Sequence, residues 1–226
     1  MKNYFFLREI NKINRRFSSK LFHSPKLVNS VFFTNRNKIS NPQEIIKNLP
    51  KHSAIIFREY DLPSEERLLL AKNLMEKNLQ FSKNKNHLII GKDYNLAKKI
   101  KAQGVHFSDH DKNILPFFLQ RKSLPRNFIF SLAIHHERSI ALVKKLKPDL
   151  VFLSPIFKSS THLNKSPIGI INFSRFLIKT KYFYFKNQNY QPKIYALGGI
   201  NFSNIKKLRK INIAGIGAIE LFKNFL

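Results

Sequence analysis

No cysteine occurs among the 226 residues, so neither a disulfide nor a cysteine-ligated zinc site can hold this chain together. No apolar run approaches the roughly 18 residues that a membrane-spanning helix needs, which excludes such a span. Acidic residues are scarce: 13 Asp and Glu face 41 Lys and Arg, a formal charge of +28. Such an excess ordinarily points to nucleic acid or an anionic surface. Two features weaken that reading. The basic residues are spread over the whole chain, and they come with abundant Asn, Ile and Phe, as compositional drift would produce. The aromatic-basic motifs of the usual RNA-binding modules are absent as well, so an RNA-binding protein ranks last among the functions considered. A positive field would serve a phosphorylated small substrate equally well.

The length suits one domain with a large core. The first thirty residues carry seven Lys and Arg, one acid (Glu9) and several Ser and Phe. They can be read as an amphipathic transit peptide or as a basic leading helix covering the N-terminal end of the domain, and the helix is preferred. We therefore divide the chain into a basic extension, 1–30, and a domain, 31–226, and expect a cytoplasmic protein.

Within the domain, eight short apolar runs alternate with eight helical stretches. The runs are Val31–Asn35, Ala54–Arg58, His87–Gly91, Gly104–Phe107, Phe128–Ala133, Asp149–Pro155, Ile194–Leu197 and Ala214–Ala218. Among the helical stretches, Pro42–Leu49 has Asn41 as a candidate cap, and a helix opening at Ser64 has that serine as its cap and acids in its first turn. Others are expected over Leu96–Ala102, after His135 as far as Leu146, over Ile168–Thr180, after Asn201 or Ser203, and over Glu220–Leu226. Tyr182–Gln191 reads as an irregular connection. The alternation implies parallel strands joined by right-handed crossovers, and eight units make a single (β/α)8 TIM barrel. The last two strands end in glycine-rich turns, Gly198-Gly199 and the run through Gly217, and each leads into a helix. In a barrel these positions suit a phosphate, although glycine there can also serve tight packing alone.

Residues just past barrel strands face the active site. Those positions hold Arg58, Lys92, Asp93, Asp109, Asp111, His135, His136, Thr161 and His162. His135 could move a proton near neutral pH or merely cap a helix. Arg58 could hold an anion or form a rim ion pair with Glu59. Asp109 and Asp111 could share Mg²⁺ with phosphate oxygens or lie in a solvated loop. His136 is expected on the surface.

Taken in order, these pieces resemble the thiamine phosphate synthase/TenI family from about Val31 to Phe222. The resemblance is carried by Arg58-Glu59, Leu88-Ile89-Ile90, Gly104-Val105-His106-Phe107, the His135 turn, Asp149–Phe157 (DLVFLSPIF), Ala196–Asn201 (ALGGIN) and Ala214–Ile219 (AGIGAI). It implies a (β/α)8 enzyme of thiamine biosynthesis whose partners are small molecules, a phosphorylated thiazole and a pyrimidine pyrophosphate. Synthases of this family join the two, with Mg²⁺ steadying the departing pyrophosphate. TenI-type members tautomerise the thiazole with a histidine acid–base. Carried over, the thiazole phosphate lies on the amides of Gly198, Gly199, Ile219 and Glu220. His135 and Arg58 are the catalytic pair, Lys92, Thr161 and His162 bind substrate, and Asp111 is the remaining metal ligand. Several positions depart from the synthase pattern. Ile56 and Tyr60 replace the Gln and Lys that flank the strand-two Arg, Gly91-Lys92 stands where synthases have Asn-Asp, His162 replaces a Lys, and Glu220 a Ser. Because these losses fall on the pyrophosphate side, the sequence places a TenI-like tautomerase first and a synthase second. Mg²⁺ is expected only with synthase activity.

Overall fold

The structure, a computed structural model, describes residues 2–14, 28–81, 86–159, 166–181 and 190–225. Its strands are β1 (Ser30–Phe33), β2 (Ser53–Phe57), β3 (His87–Gly91), β4 (Gly104–Ser108), β5 (Ile129–Ile134), β6 (Leu150–Leu153), β7 (Lys193–Leu197) and β8 (Gly215–Ala218). Each pairs in parallel with the next, and β8 pairs back onto β1 to close the barrel. Strands that are wrapped on one face and enclosed on the other need apolar side chains on both. β1, β2, β5 and β6 accordingly have no exposed residue. Val31, Phe33, Ile56, Ile89, Phe152 and Tyr195 fill the barrel, while their neighbours Phe32, Ile55, Phe57, Leu88 and Ile90 pack outward under the helices. The expected (β/α)8 architecture is present, with strand boundaries moved by a residue or two.

The α-helices are α1 (Lys2–Asn14), α2 (Pro42–Ile46), α3 (Ser64–Gln80), α4 (Tyr94–Lys99), α5 (Ile114–Gln120), α6 (Ile140–Leu146) and α7 (Gly169–Lys179). After β7 and β8 the chain forms 3₁₀ turns, Ile205–Lys210 and Glu220–Phe225, where α-helices were expected. The reason is visible in the first of these. Only Ile205 and Leu208 are buried there, and a three-residue spacing stacks them on one edge of a 3₁₀ turn. Two expected caps also fail. Asn41 makes no capping hydrogen bond, and Ser64 is already helical, preceded by Pro63. What favours the start of α3 is Glu65 and Glu66 in its first turn, where the helix dipole welcomes negative charge.

Helix α1 lies against β8 and the two 3₁₀ turns. Phe6 meets the Phe222 ring edge-on at 5.4 Å, and Phe5 meets Phe202 at 5.6 Å. Between them Glu9 is fully buried and is ion-paired with Arg209. The hydrogen bonds from Arg209 outweigh burial and hold the Glu9 carboxyl below the usual range. Residues 182–189 lie outside the described residues.

Candidate functional site

Eight parallel strands aim their carboxyl ends at one rim, and a cavity of about 690 Å³ opens there. Arg58 follows β2, Lys92 follows β3, Asp111 stands just past β4, and His135 follows β5. Gly198 and Gly199 follow β7, while Ile219 and Glu220 follow β8. All of these line the one cavity, although they are scattered over 163 positions of sequence (220 − 58 + 1). Thr161 and His162 lie outside the described residues.

His135 does not cap a helix. Its main-chain N–H donates to Asp109 Oδ2 at 3.0 Å, and its Nδ1 lies 2.7 Å from Asp109 Oδ1. Ser139 Oγ donates to the same carboxylate at 2.6 Å. The Asp109 side chain is only 3% exposed. Burial by itself would raise its carboxyl pKa, but the hydrogen bonds from His135 and Ser139 prevail and hold it well below the usual range. An ionised carboxylate only accepts, so Nδ1 carries the ring proton and Nε2 is left as the nitrogen that can take one. His110 stacks on this ring at 5.2 Å, and His136 is exposed, as expected.

The cations are arranged differently from the sequence reading. Glu59 turns away from Arg58 and pairs with Arg36 at 3.3 Å. The Arg58 guanidinium instead lies over the Phe33 ring at 5.6 Å, and its buried Nε finds no partner among the described residues. Asp93 caps α4 by accepting from the Leu96 N–H at 2.8 Å and pairs with Arg67 at 2.9 Å. The Glu220 charge, which would repel a phosphate, is met by Lys38 Nζ at 2.6 Å.

Gly198 and Gly199 have φ of 93° and 69°, a left-handed conformation that side chains resist. Packing forbids a side chain there too: a Cβ on Gly199 would lie 2.4 Å from the Lys158 carbonyl oxygen. Consecutive residues of this kind turn main-chain N–H groups into a concavity. The turn thus serves tight packing and lines the cavity at once.

Two contributors escaped the sequence reading. His106 forms the cavity floor, with Nδ1 2.6 Å from Ser131 Oγ and the rings of Phe33 and Phe152 against it. Burial, with Arg58 nearby, lowers its pKa to about 3, so it stays neutral. Period-two alternation along β4, which pairs His106 with Ser108 on the inner face, was the available signal. Tyr60 is the other. The residue is 42% exposed, but its hydroxyl is tucked against Gly91, and the loss of hydration there pushes its pKa up to about 12.

The resemblance implies Mg²⁺, and the donors do not fit it. Among the described residues, the carboxylates lining the cavity are Asp111 and Glu220. Asp111 accepts from the Ser108 N–H at 2.6 Å and from Lys92 Nζ at 2.7 Å, and Glu220 binds Lys38. An ammonium therefore already sits where a hard dication would be coordinated. Asp109, His110 and His135 bring ligand atoms within 4.8 Å of one another, but Asp109 and His135 already satisfy each other.

A barrel whose strand-end cavity combines a glycine turn, cationic side chains and an oriented imidazole is built as an enzyme for a small anionic substrate. The sequence profile of the thiamine monophosphate synthase family matches residues 31–222, and the chain belongs to that family of transferases. It is 32% identical over 165 residues to an Aquifex aeolicus protein named as a second thiamine-phosphate synthase, covering 73% of this chain and 80% of that one. It is 27% identical over 167 residues to the thiamine-phosphate synthase of Prochlorococcus marinus, covering 74% of this chain and 43% of that protein. The thiamine phosphate pyrophosphorylase of Pyrococcus furiosus superposes with a TM-score of 0.67 at 17% identity, over 89% of this chain and 93% of that one, a likeness of fold. No helix among the described residues is long and apolar enough to cross a membrane.

Proposed function

We propose that this chain is a thiamine-phosphate synthase, joining hydroxymethylpyrimidine pyrophosphate to thiazole phosphate and releasing pyrophosphate. The synthase names of its relatives favour this over the tautomerase that the sequence placed first. The observation that carries it is one cavity lined both by a glycine turn and by cationic side chains. The glycine turn after β7, together with the end of β8, offers amides for the thiazole phosphate, with Gly198, Gly199, Ile219 and Glu220 around it. Arg58, Lys92 and Lys158 offer cations for the diphosphate. The thiazole nitrogen supplies the electron pair of the new C–N bond, and the methylene–oxygen bond breaks with its pair leaving on pyrophosphate. Arg58, with no carboxylate partner among the described residues, takes up part of that departing charge.

Incubating the purified chain with both substrates and measuring released pyrophosphate tests this. Stoichiometric pyrophosphate and thiamine phosphate are expected, and Arg58→Ala should slow release by roughly 100-fold, the loss of one charge-assisted contact at a developing charge. No release with enzyme in excess over substrate rejects it.

One observation favours a second reading, thiazole tautomerisation: the His135–Asp109 pair supplies an oriented acid–base that the joining reaction does not need. The RNA-binding alternative gains nothing, since these cations converge on a cavity of small-molecule size.

A further inference from the structure

We propose that Lys92 takes the place of a divalent cation, so that the pocket binds pyrophosphate and expels it without Mg²⁺. The inference rests on the reading that the cavity accepts a diphosphate.

Three observations support it. Lys92 Nζ lies 2.7 Å from Asp111 Oδ1 and 4.8 Å over the Tyr60 ring, so a carboxylate and an aromatic face hold the ammonium at the cavity edge. A dication on that same carboxylate would meet the ammonium's repulsion directly. The backbone is committed as well. Lys92 has a left-handed φ of 60°, and its N–H donates to the His106 carbonyl at 2.7 Å. Of the four non-glycine residues with positive φ among the described residues, Lys92 alone lines the cavity. Strain of this kind persists where the side chain's direction matters. Finally, no oxygen ligand can enter from residue 91, because a Cβ on Gly91 would fall 2.8 Å from the main-chain carbonyl oxygen of Phe57, which cannot swing aside as a side chain can. Tyr60, Gly91 and Lys92 exclude the metal's second ligand and supply a charge in its stead.

The Lys92 side chain is 44% exposed, which leaves its ammonium room to turn from Asp111 towards an arriving phosphate oxygen. As the methylene–oxygen bond breaks, the electron pair passes to pyrophosphate, and Lys92 with Arg58 neutralises it there. A purely structural Lys92–Asp111 pair would leave pyrophosphate affinity unchanged when Lys92 is lost.

The test is calorimetric titration of inorganic pyrophosphate into the full chain, once in a chelator and once in Mg²⁺, with thermal melts to establish folding. Wild type should bind in the chelator, with no tightening by Mg²⁺. Lys92→Met should weaken binding by roughly 10- to 100-fold, the size of one hydrogen bond to a charged group, and Lys92→Arg should restore most of it. Lys92→Asp should bind only in Mg²⁺, its new carboxylate joining Asp111 as a metal ligand. Wild-type binding that needs Mg²⁺, or Lys92→Met binding as tightly as wild type, overturns the inference. If thiamine phosphate still forms in Mg²⁺, the two-substrate reading survives that result. Wild type that neither binds pyrophosphate nor forms thiamine phosphate under any condition overturns both.

Discussion

Gly199 and Gly169 share a backbone conformation and differ in what surrounds them, which allows the glycine turn to be tested quantitatively. Gly169 has φ of 75° with nothing within 4 Å of an added Cβ. Gly199 has φ of 69°, but its added Cβ would lie 2.4 Å from the Lys158 carbonyl oxygen and 2.6 Å from that of Phe157. Placing alanine in a left-handed conformation costs about 1–2 kcal/mol, offset in part by the roughly 0.4–1 kcal/mol gained from a stiffer unfolded chain. Gly169→Ala should therefore cost about 1 kcal/mol and lower Tm by roughly 2–4 °C for a chain of this size. Gly199→Ala bears the same conformational cost and must also push two backbone carbonyls aside, which adds about 1–3 kcal/mol. Its Tm should fall by roughly 5–12 °C. Because Lys158, whose carbonyl is displaced, lines the cavity beside the glycine turn, the affinity of Gly199→Ala for thiazole phosphate should drop about tenfold or more, at least about 1.4 kcal/mol. Gly169→Ala should bind normally. Scanning calorimetry and thiazole phosphate titrations on both variants supply the data. Equal Tm values for the two, or unchanged affinity in Gly199→Ala, would refute the reasoning.

Other expectations concern the buried carboxylates. Asp109→Asn keeps the shape but has one acceptor oxygen where two are used: with that oxygen on the His135 N–H and Ser139, its NH₂ faces Nδ1 and favours the wrong ring tautomer, so thiazole tautomerisation should slow by roughly 10- to 100-fold. Ser139→Ala, measured in the same turnover assay, should cost less than Asp109→Asn because the histidine keeps its carboxylate. Glu9→Gln should destabilise by about 1–3 kcal/mol in denaturant titrations, between the surface and buried limits, since Arg209 is 32% exposed while Glu9 is fully buried. The Glu9 and Asp109 carboxyls are both held below their unfolded values. Their contribution is complete above the unfolded carboxylate range of about 4 and is lost as pH falls below it, so stability should decline on the acid side and decline less steeply in Glu9→Gln.

The barrel was readable because each strand is a short, mainly apolar run bounded by polar or glycine residues, a pattern that survives the lysine-rich composition. His135, Arg58, Lys92 and the glycine turn were readable for a related reason: position at a strand's end determines which cavity a residue lines. What failed was local detail that tertiary contacts decide. Asp109 and Asp111 stand two apart and looked alike. One is turned beneath His135 and the other faces Lys92, a choice made by Ser139 and Ser108 hydrogen bonds that no spacing reveals. Glu59 follows Arg58 directly, yet both lie past the end of β2, where the path of the loop sets Glu59 against the main chain and guanidinium of Arg36. Asp93 reads as a strand-end carboxylate and also as a helix cap, and the start of α4 at Tyr94 decided for the cap. The 3₁₀ turns after β7 and β8 carry the same apolar spacing that a short α-helix would.

A crystal structure of the chain with thiazole phosphate bound tests the account most directly. The account predicts the phosphate on the main-chain N–H groups of Gly198, Gly199, Ile219 and Glu220, with the thiazole ring directed towards His135 and Arg58. A phosphate held elsewhere, or a glycine turn whose amides face away from the ligand, would contradict it.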